Sequence, residues 1–191
     1  KARNPWDLDR HPGGSSTGSG VALAAHLCGA SVGEDTAGSG RNPASWSGVT
    51  GLRPTYGRIS RYGIMPVCWY LDSAAPMGKT VEDTALVLEA IAGYDPKDSY
   101  SSKRPVPHYT AQLDNPIKGL RIGVLRELNN DGVDPEVAKL LTDAVDVFRS
   151  LGAEVDEVSV PMMNFGGDLY MMLGFLEAYT VHARTLRAKP E

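Results

Sequence analysis

The apolar positions in the second half of the chain change their period twice, which predicts a strand–helix–strand unit over residues 119–160. Residues 120–125 alternate between apolar and polar side chains, as a half-buried strand does. Asp134-Pro135 begins a helical pattern that runs to about Leu151, and residues 153–160 alternate again. A right-handed crossover would bring both strands into one sheet. The predicted apolar face of the helix is Val137, Leu140, Leu141, Ala144, Val145 and Phe148, and the candidate buried residues of the second strand are Val155, Val158 and Val160.

Other segments carry weaker periodic signals. Thr80 followed by Asp83 has the form of a capping box, which predicts a helix that ends at Gly93. The Met171-Met172-Leu173 stretch predicts packing against the core or against a neighbouring subunit. The pattern predicts helices at 19–29 (N-cap Ser16 or Ser19), from Asn42 to about 50 (Asn42 as N-cap), at 80–92 and at 165–187. It predicts a brief strand or an extended link at 30–33, extended chain at 51–64, mostly irregular chain at 65–78 and a surface connection at 94–118.

Residues 11–45 hold eight of the 21 glycines, so two Gly/Ser loops flank one short predicted helix. Glycine lets the main chain approach a ligand closely. Ser15 and Ser39 lie one in each loop, and a helix that folds back would let the two hydroxyls meet. The pattern therefore suggests a serine-nucleophile site. Loop-capping serines and a phosphate-binding loop are the alternatives, although the Gly-Lys-Ser/Thr ending of a nucleotide loop is absent.

Charge and composition narrow the class of protein. A net charge of −4 without a basic cluster argues against direct nucleic-acid binding. No run of residues approaches the ~18 apolar residues of a membrane span, so no membrane partner is expected. Cys28 and Cys68 show neither metal-ligand spacing nor a disulfide framework, which predicts a reduced, cytoplasmic location and no metal. No organic cofactor is indicated.

Three groups of residues resemble the amidase signature family. They are GGSS at 13–16, then Asp35, Gly38-Ser39, Arg41 and Pro43, and finally GLRPTYGR at 51–58. The likeness runs from about Asn4 to Gly63, and TVEDTALVLEAIAG at 80–93 is similar to the helix that follows in bacterial members. The resemblance implies an α/β fold with a mixed central β-sheet flanked by helices, present here as an incomplete portion.

The resemblance also implies a Ser–Ser–Lys amide hydrolase acting on a small-molecule amide. Ser39 would be the nucleophile that forms an acyl-enzyme, and Ser15, after a cis peptide bond, would relay its proton to a lysine. The main-chain N–H groups of Thr36, Ala37, Gly38 and Ser39 would form the oxyanion hole. The residues implied to hold the two loops together are Ser16, Asp35 and Arg41.

The chain departs from the family pattern at three positions and lacks the family's lysine motif. Thr17 and Ala37 replace glycines. Gly40 replaces an aliphatic residue, which predicts that the loop holds the nucleophile less tightly. The lysine would lie upstream of Lys1. We therefore expect residues 1–191 to be the central part of a single amidase signature domain, with signature core 4–63, without its N-terminal and C-terminal parts, and inactive alone.

Two further functional alternatives remain open. The GLRPTYGRISRYG segment at 51–63 looks like the glutamine-hydrolysing component of a tRNA-dependent amidotransferase, its A subunit. A non-catalytic paralogue that keeps the fold is the other alternative. An incomplete sheet would leave apolar surface exposed, so a homo-oligomer or a partner subunit is also expected.

Overall fold

The computed structural model describes residues 2–128 and 132–189, which fall into two compact units. The first unit is formed by described residues of 1–113 and 172–191, and the second by those of 114–171. The helices and strands of the first unit are α1 (Thr17–Ala24), β1 (Ala30–Glu34), α2 (Arg41–Trp46), β2 (Thr50–Gly51), β3 (Ala74–Gly78), α3 (Val81–Ile91) and a 3-10 turn (Thr110–Gln112). Those that follow are β4 (Arg121–Leu125), a 3-10 turn (Arg126–Leu128), α4 (Pro135–Ser150), β5 (Glu154–Val158), a 3-10 turn (Pro161–Phe165) and α5 (Gly166–Ala188).

The sheet of the first unit has strand order β1-β3-β2, and both pairings are antiparallel. All five residues of the central strand β3 are buried. This strand lies in the 65–78 segment, which the sequence pattern assigned mostly to irregular chain, so the strand itself was missed. The segment AAPMG is buried on both faces and contains no polar residue. The apolar/polar alternation that marks a half-buried strand is therefore absent.

Two small apolar clusters hold the first unit together. Leu23 of α1, Ala44 of α2 and Met77 of β3 form the first cluster, so the helices that follow the two Gly/Ser loops pack on the same strand. Ile59, Ala74 and Leu88 form the second, which fixes α3 beside the sheet. The packing positions both loops at one end of β1.

The predicted helices are present, with shifted ends. Thr80 and Asp83 form the predicted capping box of α3, and the Asp134 carboxylate accepts from the Glu136 N–H at the start of α4. Ser16 is the N-cap of α1, whereas α2 begins after Gly40 and not at Asn42. In α5, Met171, Met172 and Leu173 are about half exposed, so they do not pack into a core of the described residues.

In the second unit, β4 and β5 pair in parallel, as the strand–helix–strand prediction requires. The burial prediction was wrong for several residues. Val158 of β5 is 38% exposed, Val160 after it is 42% exposed, and Leu140 of α4 is 66% exposed. A two-stranded sheet with one helix leaves these side chains without a covering layer among the described residues of this unit. The α/β class is confirmed, with the strands divided between an antiparallel and a parallel sheet.

Candidate active site

A backbone hydrogen bond joins the two Gly/Ser loops at the predicted serines. The Ser16 N–H donates to the Ser39 carbonyl oxygen at 3.0 Å. The peptide bond between Gly14 and Ser15 is cis, at the position where the family resemblance predicts it. The structure thus brings the residue that follows Ser15 directly against Ser39.

Ser16 also ties the first loop to the end of β1. Its hydroxyl donates to the Glu34 carbonyl oxygen at 3.2 Å and accepts from the Glu34 N–H at 3.1 Å. A Cβ added to Gly33 would lie 2.5 Å from the Ser16 Oγ, so only glycine leaves room for this contact. Thr17, one of the three departures, donates from its Oγ1 to the Gly13 carbonyl oxygen at 2.6 Å and closes the turn of the first loop.

The buried Asp35 side chain fixes the second loop through hydrogen bonds to its backbone. The side chain is fully buried, and its carboxylate accepts from the backbone N–H groups of Gly38 (2.7 Å), Gly40 (3.2 Å) and Arg41 (3.2 Å). Those three donors surround Ser39 in the chain, so the carboxylate fixes the loop on both sides of the predicted nucleophile.

Two arginines neutralise the Asp35 charge. Arg41 donates from Nε at 2.9 Å and from Nη2 at 3.0 Å, and the Arg53 Nη1 lies 3.3 Å from the Asp35 Oδ1. Burial alone would raise the pKa of the Asp35 carboxyl. Hydrogen bonds from the Arg41 guanidinium and from the Gly38 and Arg41 N–H groups outweigh burial and hold that pKa well below its usual range. The carboxylate is therefore ionised at any pH at which the protein works.

Arg53 and Asp72 are site residues that the sequence reasoning missed. Arg53 donates to the carbonyl oxygens of Asp35 at 2.7 Å and Thr36 at 2.8 Å. Asp72 is 2% exposed and accepts from the Thr36 hydroxyl at 2.7 Å. Arg53 lies in the GLRPTYGR motif, so the sequence could have identified it as a site residue. The sequence around Asp72 contains no comparable motif.

The four N–H groups predicted for the oxyanion hole are not equivalent. The Gly38 N–H is committed to Asp35, which removes it from the set. Within the described chain, no protein acceptor is recorded for the N–H groups of Thr36, Ala37 or Ser39. Ala37, the second departure, does not have a positive φ, so a side chain is accommodated there while its N–H stays available.

The two serine hydroxyls have no hydrogen-bond partner among the described residues, and Ser15 is exposed while Ser39 is half-buried. The described lysine side chains that have recorded contacts make them elsewhere. Lys79 contacts His26, Lys97 and Lys103 lie over tyrosine rings, and Lys139 pairs with Asp143. No recorded contact brings a lysine of the described chain to Ser15 or Ser39.

Glu34 is a second titratable group beside the loops. Burial, followed by the nearby Asp72 charge, raises the pKa of the Glu34 carboxyl above its usual range. Its Oε1 is buried without a hydrogen-bond partner in the described chain. The site therefore contains one carboxyl group whose pKa is lowered and one whose pKa is raised.

Gly40, the third departure, does not loosen the loop, which corrects the sequence-based expectation. The residue is buried, and an added Cβ would lie 2.3 Å from the Cβ of Ala75 in β3 and 3.4 Å from that of Asp35. Gly40 is thus tightly enclosed, because Ala75 occupies the space that a larger side chain would need.

Gly40→Ala is expected to destabilise the full-length protein by about 1–3 kcal/mol, the usual cost of overpacking. Denaturant unfolding measures this loss. Adding Ala75→Gly should make the double variant less destabilised than the sum of the two single changes. Gly18→Ala is the control, because no atom lies within 4 Å of its added Cβ. Equal losses for Gly18→Ala and Gly40→Ala would contradict the enclosed position of Gly40.

Among the described residues, no group of three or more His, Cys, Asp and Glu side chains is arranged to hold a metal ion. The helices described are also too short or too polar to cross a membrane. Both cysteines are free.

Comparisons with known proteins identify relatives of the chain. The chain is 50% identical over 182 residues to the glutamyl-tRNA(Gln) amidotransferase A subunit of Syntrophobacter fumaroxidans, covering 95% of the chain and 37% of that protein. It is 49% identical over 176 residues to the protein of the same name from Chromohalobacter salexigens, covering 92% of the chain and 36% of that protein. The chain thus spans less than two fifths of the length of these curated relatives.

Solved structures of amidase-type proteins also resemble the chain. The glutamyl-tRNA(Gln) amidotransferase A subunit of Thermotoga maritima superposes with a TM-score of 0.90 at 36% identity, over 94% of the chain and 39% of that structure. The native peptide amidase of Stenotrophomonas maltophilia superposes with a TM-score of 0.85 at 38% identity, over 97% and 39%. A sequence model of the Amidase family matches residues 1–190. The chain therefore belongs to the Amidase family.

Proposed function

We propose that these residues form the nucleophilic half of an amide hydrolase site in which Ser39 attacks a carboxamide carbonyl. The observation that carries the proposal is the 3.0 Å hydrogen bond from the Ser16 N–H to the Ser39 carbonyl, which joins the two serine loops. The Ser39 Oγ forms a bond to the carbonyl carbon, the C–N bond breaks, and the amine leaves with a proton. Water then hydrolyses the resulting ester and releases the acid.

The negative charge that develops on the carbonyl oxygen is stabilised by main-chain donors of the same loop. We assign this role to the N–H groups of Thr36, Ala37 and Ser39, because the Gly38 N–H already donates to Asp35. One well-placed oxyanion donor lowers the barrier by roughly 3 kcal/mol. Asp35, Arg41 and Ser16 hold these donors in place through the other loop contacts.

Ser15 relays the proton of Ser39 to a general base. We propose that this base is a lysine outside the 191 residues, because the recorded contacts of the described lysine side chains lie elsewhere. A lysine acts as a base at neutral pH where burial or a nearby positive charge lowers its pKa.

Fluorophosphonate trapping tests the proposal on the full-length protein that carries this chain. Labelling is expected at Ser39, located by peptide mass, together with turnover of acetamide, benzamide or glutamine. The 191-residue chain alone is expected to show negligible turnover and weak labelling. Strong labelling of Ser39 in the short chain would refute the need for an outside base. Absence of labelling and turnover in the full-length protein would support a non-catalytic paralogue instead.

A second candidate function is glutamine hydrolysis within a tRNA-dependent amidotransferase, as its A subunit. The specific observation in its favour is the 50% identity to a protein of that name over 95% of the chain. This function predicts that glutamine is the preferred amide and that hydrolysis depends on partner subunits. Efficient benzamide turnover by the full-length protein without partners would instead favour a free-standing amidase.

We propose no direct contact of this chain with nucleic acid, since its net charge is −4. A cytoplasmic location agrees with the two unpaired cysteines. The exposed apolar side chains of α4 and α5 support burial against a partner or against the remainder of the same protein.

A further inference from the structure

A cavity of about 180 Å³ in the first unit lies outside the two serine loops. Its lining includes three apolar residues, two basic ones and two acidic ones, namely Ile64, Pro66, Trp69, Arg61, Lys97, Asp72 and Asp98. An apolar cavity of ~150 Å³ accommodates a benzene ring. The space therefore fits a small ligand with one ring-sized apolar body.

Arg61 is a buried cation with unused hydrogen-bonding capacity. Its side chain is 8% exposed, and its guanidinium lies 4.4 Å from the Tyr56 ring centroid and 5.3 Å from that of Trp69. The guanidinium donates from Nη1 to the Trp69 carbonyl. Its Nε forms an ion pair with the Asp98 Oδ2 at 3.7 Å. That distance is too long for a hydrogen bond, so the buried Nε has no hydrogen-bond partner in the described chain. A buried guanidinium N–H normally has an acceptor.

The two acidic residues of the wall do not provide that acceptor. Asp72 accepts from the Thr36 hydroxyl and from the N–H groups of Val67 and Cys68. Asp98 accepts from the backbone N–H groups of Arg61 at 2.8 Å and Tyr100 at 3.0 Å. Both carboxylates therefore already accept hydrogen bonds from other groups, and neither is recorded as accepting one from the Arg61 guanidinium.

Lys97 adds a second donor on the open side of the cavity. Its Nζ lies 4.9 Å from the Tyr62 ring centroid, and it makes no recorded ion pair within the described chain. A ligand that accepts hydrogen bonds and carries a carboxylate next to an apolar group would complement the Arg61 Nε and the Lys97 Nζ. Arginine binds planar carboxylates with two parallel N–H donors.

The geometry points to a binding site for a small carboxylate with a flat apolar body, held by Arg61 and Lys97. The carboxylate comes either from a free organic acid or from an amide substrate that also bears an acid group. Asp72 connects this cavity to the nucleophile loop through its hydrogen bond with Thr36, three residues before Ser39.

Calorimetric titration of the full-length protein tests this site with benzoate as the probe. Benzoate is expected to bind saturably, and benzamide, benzyltrimethylammonium and inorganic phosphate are expected to bind at least tenfold more weakly. Lys97→Met should weaken benzoate binding by about three- to tenfold, as expected for the loss of one charged donor. Arg61→Lys should weaken it further, with unfolding midpoints measured to confirm that the variant folds.

Lys103→Met is the matched control, because Lys103 also lies over a tyrosine, 5.2 Å from the Tyr94 centroid, but does not line the cavity. Equal effects of the two methionine variants, equal binding of benzamide, or no saturable benzoate binding would each overturn the assignment. The titration needs no turnover, so its failure is distinguishable from failure of the proposed hydrolysis.

Kinetics identify the source of the carboxylate. If the substrate supplies it, Lys97→Met raises KM for 4-carbamoylbenzoate and leaves KM for benzamide unchanged. If a free acid supplies it, added benzoate changes benzamide turnover in the wild type, and Lys97→Met shifts that effect to higher benzoate concentration. Both results support the site.

Discussion

Ser39→Ala in the full-length protein is expected to lower kcat for amide hydrolysis by about 10⁵- to 10⁶-fold, the order observed when a serine nucleophile is removed. The proposed reaction has no other group to form the acyl-enzyme, because the remaining loop contributes only main-chain donors. Turnover of benzamide or glutamine, followed by ammonia release, measures the loss. Unfolding midpoints should remain close to wild type, since the Ser39 hydroxyl makes no hydrogen bond with the described residues.

Two further variants distinguish the nucleophile from its relay. Ser15→Ala is expected to lower kcat by about 10²- to 10⁴-fold, the range for lost proton transfer. Ser45→Ala is the control, because Ser45 is an exposed serine of α2 whose hydroxyl makes no recorded hydrogen bond. If Ser39→Ala kept more than a hundredth of the wild-type kcat, Ser39 would not be the nucleophile.

The serine loops were readable from the sequence because their chemistry is local. Glycine, serine and aspartate stand at fixed spacing along the chain, and the connecting helix α1 is short. The same is true of the caps of α3 and α4, in which Thr80 and Asp134 act on residues only a few positions away. These features depend on nearby residues, so they can be predicted without the tertiary structure.

Features that depend on distant partners could not be read in this way. β3 is central in its sheet although its AAPMG segment contains a proline and mostly small residues. Gly40 cannot be interpreted without knowing that Ala75 lies behind it. Asp72 reaches Thr36 from 36 positions along the chain, and no spacing rule joins them. Such pairings arise from packing, which a single sequence does not display.

The charge cluster around Asp35 combines residues that the sequence predicted with one that it did not. Asp35 and Arg41 were identified from the motif as residues that hold the loops, but Arg53 was not assigned a role. In the structure, both arginines point their guanidinium groups at one fully buried carboxylate. Removing the buried carboxylate leaves two partly exposed arginines without their counter-charge and leaves backbone N–H groups without an acceptor, which costs more than the net stability of the intact cluster.

Asp35→Asn is therefore expected to destabilise the protein by about 3–5 kcal/mol. The amide would present N–H donors to a site that already contains the N–H groups of Gly40 and Arg41. The loop that carries Ser39 would also lose its anchor, so kcat should fall together with stability. Denaturant unfolding of the full-length protein measures the first effect, and amide turnover well below the unfolding midpoint measures the second.

The pH dependence separates this cluster from an ordinary surface ion pair. Because the folded pKa of Asp35 is depressed, its contribution is present above the unfolded pKa and is lost as pH falls through the folded pKa. The stability gap between wild type and Asp35→Asn should stay constant from about pH 5 to 9 and narrow only below about pH 4. Asp146→Asn, which breaks an exposed pair with Arg149, should cost about 0.5 kcal/mol or less. A comparable cost for both variants would show that the buried carboxylate does not hold the nucleophile loop.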